Sequence, residues 1–328
     1  MNTKAVSIKE NKILARCLHG ISKPEHFVYI ILLVMITAAA IISPGFLQLS
    51  HMAGILKLAS FLGIAAIGQT FAILLGEIDL SVANTITLGN VIGAQILMGT
   101  DANLPFAFCM VLAAGILVGV CNGIGIKYFK ISPFIMTLGM NSVVQGVYMI
   151  YTQGAPKGKT SAFMSSLCKA NGVGFLSGVV VIWLVLAAVT MFVMKKTNIG
   201  RKIFAAGANK NAARFSGINT GKVMFLCYIV SGALAAFTGF LLVGYTGTSY
   251  LDVGLSYNDN SIAAVVIGGT AMTGGRGGYL GTFAGVIIMI VLEDFLTIVN
   301  IPEAGRQIVQ GAILIVLLLI YNRNRTNR

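Results

Sequence analysis

Long apolar runs separated by short polar segments constrain this chain more than any other feature of its sequence. Neither Phe106 to Ile126 nor Val173 to Met194 contains a charged side chain. A helix needs about 20 predominantly apolar residues to cross the hydrocarbon core of a bilayer. The pattern therefore predicts an all-α polytopic membrane protein with about ten transmembrane helices. The predicted spans lie at 27–43, 53–76, 80–98, 106–126, 133–152, 173–194, 223–243, 261–275, 281–292 and 307–321.

The composition agrees with this class. Of the 328 residues, 56% are hydrophobic and only 10% are charged, whereas a soluble domain carries about 25% charged residues. We expect one transmembrane domain at 27–321, with polar tails at 1–26 and 322–328. The basic N-terminal tail followed by an apolar run has the layout of a signal peptide, but many spans follow, so we expect an uncleaved first helix. The five scattered cysteines predict neither a disulfide framework nor a metal site.

The positive charges predict the orientation of the chain in the membrane. If ten spans alternate, 18 of the 23 Lys and Arg residues fall in segments that share one side. Basic residues are enriched on the cytoplasmic side, so both termini are predicted to be cytoplasmic in a multi-pass protein of the cell membrane. The segment 153–172 is the exception, because its three lysines would face outward. The net charge of +13 is explained by this topology and requires no nucleic-acid partner.

A polar segment at 195–222 interrupts two apolar runs and contains seven Lys and Arg residues. Each would cost about 2.5–3.5 kcal/mol in the hydrocarbon core, so the segment is predicted to lie in cytoplasmic water between spans six and seven. Asn209 is a predicted helix N-cap for a short helix at 210–215, and Gly217 a predicted stop. A helix this short does not persist alone in water. We therefore expect a docking element held by its neighbouring spans or by a partner.

The second and third apolar runs are joined so tightly at Glu77-Ile78-Asp79 that we expect a broken helix or a sharp re-entry near 76–81. The two acids have three open roles: a proton or cation relay, a cap for the third span at Asp79-Leu80-Ser81, or the lining of a polar path. Hydrogen bonding between helices is the alternative role of the other polar side chains at helical spacing. The candidates for a translocation path are Asp79, Ser81, Asn84, Thr87, Asn141 and Gln145.

The sequence lacks the usual signatures of catalysis. All three histidines precede the second predicted span, and no HExxH or GxSxG motif occurs, so we expect no enzymatic activity. The stretch GAPKGKT at 154–160 resembles a phosphate-binding loop, but Gln153 stands where that motif needs its first glycine. ATP-driven work would therefore require another subunit. The stretch GGRGGYLG at 274–281 lacks dinucleotide-binding spacing, and its glycines are expected to permit tight turns and close helix packing.

Four stretches together resemble the permease subunit of ribose-type ABC sugar importers. They are GEIDLSVA at 76–83, NGIGIKYFKISPFIMTLGM at 122–140, TNIGRKIFAAGANKNAARFSGI at 197–218 and SIAAVVIGGTAMTGGRGGYLGT at 261–282. They occur in the family's order, and the resemblance covers about residues 40–320. Glu77 departs from the family's pattern, in which Gly-Ile-Asp-Leu-Ser-Val-Gly is common, and Ala83 stands in place of the last Gly.

The resemblance implies a homodimer or pseudo-symmetric heterodimer that forms one translocation path. It also implies a cytoplasmic ATPase that binds ATP and Mg²⁺, an extracytoplasmic sugar-binding protein, and no cofactor in this chain. The segment 195–222 takes a role similar to that of a coupling helix inserted into a groove of the ATPase. The residues assigned to this coupling site are Arg201, Gly207, Asn209, Lys210, Ala212, Ala213, Arg214, Ser216 and Gly217.

The sequence therefore predicts a permease subunit that imports a monosaccharide similar to ribose, xylose or galactose. The alternative is a self-sufficient ion-coupled carrier that uses Glu77 and Asp79. A membrane scaffold is a third possibility.

Overall fold

The computed structural model describes residues 24–43, 45–169, 171–173 and 176–326. This part of the chain contains thirteen α-helices, a short 3-10 helix at Asp101–Asn103, and one small antiparallel hairpin of β1 (Asn171–Val173) and β2 (Leu176–Ser177). The α-helices are α1 (Pro24–Ile42), α2 (Leu49–Leu74), α3 (Val82–Leu97), α4 (Leu104–Lys127), α5 (Pro133–Thr152), α6 (Ala162–Lys169), α7 (Gly178–Lys196), α8 (Asn198–Ala208), α9 (Lys210–Phe215), α10 (Thr220–Thr246), α11 (Leu255–Ile267), α12 (Tyr279–Ile298) and α13 (Glu303–Thr326).

The helices confirm the predicted all-α membrane class. Each of the ten predicted spans overlaps one helix. Within the described residues, six helical segments are long and apolar enough to cross a membrane, and Val28–Ile42 and Val82–Leu97 are shorter apolar helices. The six are Leu49–Leu74, Asp101–Lys127, Pro133–Thr152, Gly178–Lys196, Thr220–Thr246 and Tyr279–Ile298. The number of crossings and the cytoplasmic location of both termini remain predictions.

Several predicted boundaries differ from the structure. The eighth predicted span, 261–275, corresponds to α11, which begins earlier and ends at Ile267. The glycine-rich residues that follow form turns, and four of them, Gly269, Gly274, Gly275 and Gly277, have φ values between 74° and 113°, which interrupt a helix. The polar segment 153–172 contains the short helix α6.

The bounds of the predicted tails do not coincide with helix ends, and the assignment of the tails to the cytoplasm stays a prediction. Residues 1–23 of the N-terminal tail 1–26 lie outside the described part of the chain, and Pro24 already belongs to α1. At the other end, α13 continues to Thr326, so most of the tail predicted at 322–328 is helical. The two predicted boundaries lie where the sequence becomes polar. The helices extend beyond these boundaries because the hydrogen bonds of a helix backbone do not require apolar side chains.

The long helix α10 packs against α2, α3 and α4, with glycines at the contacts. A Cβ atom added to Gly239 would lie 1.9 Å from the carbonyl oxygen of Ile86 on α3. One added to Gly232 would lie 2.2 Å from the carbonyl oxygen of Gly115 on α4. Small residues at helix crossings let backbones approach this closely in membrane proteins. These contacts make α10 the centre of the bundle.

A second cluster joins α2, α7 and α12 around the single tryptophan of the chain. The ring of Trp183 stacks on Phe283 with centroids 4.5 Å apart. The indole N–H donates to the hydroxyl of Tyr279 at 2.8 Å, and that hydroxyl donates to the carbonyl of Gly63 at 2.8 Å. The helix α2 therefore packs against α7 and α12 as well as against α10.

The glycine contacts generate a first prediction. The substitution Gly239→Ala places a methyl group against the backbone of α3, and overpacking of this kind costs on the order of 1–3 kcal/mol. We expect a lower melting temperature of the purified protein in detergent and less protein in the membrane. Gly54→Ala is the matched control, because nothing lies within 4 Å of its added Cβ. Equal melting temperatures for the two variants would contradict the close-packing role.

Candidate functional site

The polar segment 195–222 folds into α8, α9 and the first turn of α10. Asn209 precedes α9, and its side chain accepts the backbone N–H groups of Asn211 and Ala212 at 3.0 Å. After the helix, Gly217 adopts a φ of 79°. These interactions confirm the predicted local structure, in which Asn209 is an N-cap and Gly217 ends the helix.

The backbone at the end of α8 packs directly against the backbone at the end of α2 and in the loop 268–278. A Cβ atom added to Gly207 would lie 1.8 Å from the carbonyl oxygen of Leu74, the last residue of α2. The N–H of Gly275 donates to the same oxygen at 2.8 Å. The loop 268–278, the end of α2 and the end of α8 therefore meet without intervening side chains. This is the tight-turn and close-packing role expected for the glycines of 274–281.

An ion pair fastens the start of α9 to the break between α2 and α3. The ammonium of Lys210 lies 2.7 Å from Oε1 of Glu77. The hydroxyl of Tyr228 on α10 donates to Oε2 of Glu77 at 3.1 Å. The Glu77 side chain is almost fully buried, whereas that of Lys210 is half exposed. A buried carboxylate needs such partners, so Glu77 connects α9, the break and α10.

The predicted coupling residues divide into an exposed face and an inward face. Ala213 is buried against the rest of the chain, so its substitution would disturb internal packing. Arg214 donates through Nε to the hydroxyl of Thr220 at 3.0 Å, and Arg201 donates to the side chain of Asn198. The exposed members are Arg201, Asn209, Lys210, Ala212, Arg214, Ser216 and Gly217, and Gly207 is partly buried.

Sequence reasoning missed Phe215, whose side chain is 93% exposed at the end of α9. A large aromatic side chain in the middle of a basic, water-exposed segment was the signal that could have identified it. Aromatic residues of this kind are enriched where one protein binds another. We define the exposed surface formed by Ala212, Arg214 and Phe215 of α9, and by Ser216 directly after it, as the α9 face.

The break at 75–81 is tied into the bundle by Asp79, which is 1% exposed. Its Oδ1 accepts the backbone N–H and the hydroxyl of Ser81 at 3.0 and 2.6 Å, and its Oδ2 accepts the hydroxyl of Ser231 on α10 at 2.7 Å. Asn122 on α4 donates to the Ser81 hydroxyl at 2.9 Å. Asp79 thus closes a turn just before the helix, whereas Ser81 occupies the N-cap position of α3.

The remaining path candidates lie on α3 and α5. Asn84 receives the hydroxyl of Tyr148 at 3.1 Å and donates its side-chain amide to the carbonyl of Asn141 at 2.9 Å. Thr87 accepts the N–H of Gly254 at 3.2 Å, which joins α3 to the segment before α11. Gln145 lies one helical turn after Asn141 on α5, interacts with the Tyr148 hydroxyl and is exposed.

The family model described as branched-chain amino acid transport system / permease component matches residues 51–318. No solved structure matches the chain.

Curated relatives match nearly the whole length of the chain. The ribose import permease protein RbsC of Haemophilus influenzae is 32% identical, over 90% of this chain and 92% of the relative. The galactose/methyl galactoside import permease protein MglC of Escherichia coli is 32% identical, over 89% of this chain and 92% of the relative. Ribose import permease protein RbsC of Bacillus subtilis is 32% identical, over 88% and 90%. The chain therefore belongs to the branched-chain amino acid transport system / permease component family.

Proposed function

We propose that this chain forms the translocation path of an ATP-binding cassette importer for a monosaccharide. Its relatives are named as import permeases for ribose and galactose, which supports a sugar substrate of this size. As a family member it is a multi-pass membrane subunit and not an enzyme. In the proposed importer a separate cytoplasmic ATPase binds ATP and Mg²⁺, an extracytoplasmic protein delivers the sugar, and a second permease copy or paralogue completes the path.

The observation that carries the proposal is the link between α9 and the buried break at 75–81. Lys210 at the start of α9 pairs with Glu77 inside the break. Two residues further on, Asp79 bonds to Ser231 on α10, and Ser81 bonds to Asn122 on α4. A displacement of α9 would therefore act directly on polar side chains at the centre of the bundle. Alternating access requires such an element, whose two states are biased by ATP binding in the partner.

The α9 face supplies the surface for the ATPase. It combines the exposed ring of Phe215 with the small side chains of Ala212 and Ser216 and the positive charge of Arg214. An aromatic anchor beside small residues fits a groove, and a guanidinium suits acidic groups at its rim. The fastening of Gly207 to Leu74 would make α8 and α9 move together with the end of α2.

The geometry favours the importer over an ion-coupled carrier. A proton or cation relay needs a carboxylate that can release its partners and face a path. Both oxygens of Glu77 are engaged by Lys210 and Tyr228, and both oxygens of Asp79 accept hydroxyl or N–H donors. The polar path is better placed around Asn122, whose buried Oδ1 has no hydrogen-bond partner within the described residues. A water molecule or a sugar hydroxyl would satisfy such an acceptor.

Reconstitution tests the proposed function. We expect proteoliposomes with this chain alone to accumulate no sugar under a proton or sodium gradient, because Glu77 and Asp79 are already engaged by partners inside the bundle. Addition of the ATPase, the binding protein and internal ATP should produce uptake of ribose or galactose. Accumulation under an ion gradient without the ATPase would contradict the importer function.

The α9 face generates a prediction about binding of the ATPase. Phe215→Ala removes an exposed aromatic anchor without touching the core, so we expect at least tenfold weaker binding of the ATPase, as for other interface hot spots. Co-purification and ATP-driven uptake are the measurements. Phe106→Ala is the control, because Phe106 is 62% exposed but lies at the start of α4. Normal binding by the Phe215 variant would remove the α9 face from the interface.

The ion pair generates a double-mutant prediction. Lys210→Met leaves the buried Glu77 with Tyr228 as its remaining side-chain partner, and both the melting temperature and ATP-driven uptake should fall. Adding Glu77→Gln removes the unpaired charge, so stability should recover, with a coupling free energy on the order of 1 kcal/mol for this half-exposed pair. Uptake should remain low in the double variant, because the link from α9 is still missing.

Lys196→Met is the control for the loss of one positive charge, because Lys196 is exposed and has no ion pair within the described residues. Additive effects of the two substitutions on stability would show that the contact carries no energy. Full uptake by the double variant would show that it transmits no movement.

A further inference from the structure

A groove opens on the outer surface of the protein between α7 and α10. Both helices pack on α2, whose Ile67 and Phe71 form the floor. The cavity measures about 540 Å³, within the range of roughly 300–1,000 Å³ that is usual for small-molecule sites. Apolar side chains of α7 and α10 form its walls. They include Leu186, Val189, Val193, Val223, Leu226 and Val230.

The groove continues along the same two helices into a second cavity of about 420 Å³. Leu186 and Leu234 line both cavities, and the second one is entirely apolar. From Val181 to Val193 the helix α7 rises about 18 Å at 1.5 Å per residue. One leaflet contributes about 15 Å of the hydrocarbon core. The length of the groove therefore suits a chain that spans one leaflet.

One end of the groove is positively charged. Lys202 of α8 and Lys222 of α10 line it together with Asn219. Neither lysine forms an ion pair with any residue that the structure describes. Lys222 also lies in the first turn of α10, where the helix dipole adds partial positive charge. A third cation, Lys127, lies against the same turn, with its ammonium 5.5 Å from the ring of Phe225.

We propose that this groove binds an anionic phospholipid of the cytoplasmic leaflet. An acyl chain would lie between α7 and α10, and the phosphate would contact Lys202 and Lys222. An apolar slot that ends in unpaired lysines complements an amphiphile with a negative head group, and basic pockets between membrane helices bind such head groups. The choice of leaflet rests on the proposed orientation of the chain, whereas the site itself does not depend on the proposed function.

Charge argues against a second copy of this chain as the occupant. Of the acidic side chains that the structure describes, Glu77 and Asp79 are buried. The others whose side chains the structure describes, Asp101, Asp252, Asp259, Glu293, Asp294 and Glu303, lie in segments predicted to face the opposite side of the membrane, so these acids of a second copy would not reach the lysines. Bound lipid would lie beside α8 and hold it against the membrane surface.

Native mass spectrometry of the delipidated full-length protein, titrated with dioleoyl phosphatidylglycerol or dioleoyl phosphatidylcholine, tests the site. We expect one tightly bound phosphatidylglycerol per chain and weaker binding of phosphatidylcholine. The double variant Lys202→Glu/Lys222→Glu should lose on the order of tenfold in affinity for phosphatidylglycerol. The control Lys195→Glu/Lys196→Glu changes the net charge equally on exposed residues outside the groove and should retain wild-type affinity.

A second pair of variants tests the apolar part. Val189→Trp fills the groove without changing any charge and should weaken phosphatidylglycerol binding, whereas Val143→Trp on the exposed side of α5 should not. Melting temperatures identify misfolded variants, and Lys202→Gln/Lys222→Gln replaces the charge reversal if it prevents folding.

Three results would overturn the proposal: equal binding of both lipids, equal losses in the two double lysine variants, or wild-type binding by Val189→Trp. A lipid-free dimer that Val189→Trp dissociates would identify a second copy as the occupant instead. ATP-driven uptake with the ATPase tests the importer function separately. The importer function would be unaffected if the lipid-binding experiments overturned the lipid site.

Discussion

The burial of the Glu77 carboxylate is the constraint on which the rest of the site depends. Moving an ion out of water costs several kcal/mol even after relaxation, so Glu77 must keep a compensating charge and a hydrogen-bond donor. Lys210 supplies the charge from α9 and Tyr228 supplies the donor from α10. An exposed segment is thereby bound to a break inside the helix bundle. A movement of α9 therefore changes the environment of the Glu77 carboxylate in the break.

The glycine contacts determine how such a change would spread. Where Gly207 meets Leu74, and where Gly239 meets Ile86, one backbone lies directly against another. Contacts of this kind leave no long side chain to absorb a small displacement, since packed interiors deform little. The ends of α2 and α8 should therefore move as one body. The hydrogen bonds of Asp79 and Ser81 then connect that body to α10 and α4.

Local features could be predicted from the sequence, and non-local ones could not. The Asn209 cap and the break near 76–81 depend on a few adjacent residues, so their residue types were sufficient to identify them. The pairing of Glu77 with Lys210 joins positions 133 residues apart, and only the general need of a membrane acid for a partner pointed to it. The inward direction of Ala213 and the exposure of Phe215 depend on how α9 docks. The end of α11 was misplaced because the apolar pattern continues into a turn that glycines form.

The positive charges of the segment 195–222 illustrate why a topological rule alone does not explain a basic loop. The rule requires only that lysine and arginine stay on one side of the membrane. Here Lys210 compensates a buried acid, and Arg214 and Arg201 bond to neighbouring side chains. Lys202 and Lys222 end an apolar groove without an acidic partner among the described residues. The orientation of the chain in the membrane would be the same if these charges stood elsewhere in the loop. Each contact, however, requires its charge at one particular position. The positions of the lysines and arginines are therefore explained by these contacts, and not by the number of positive charges.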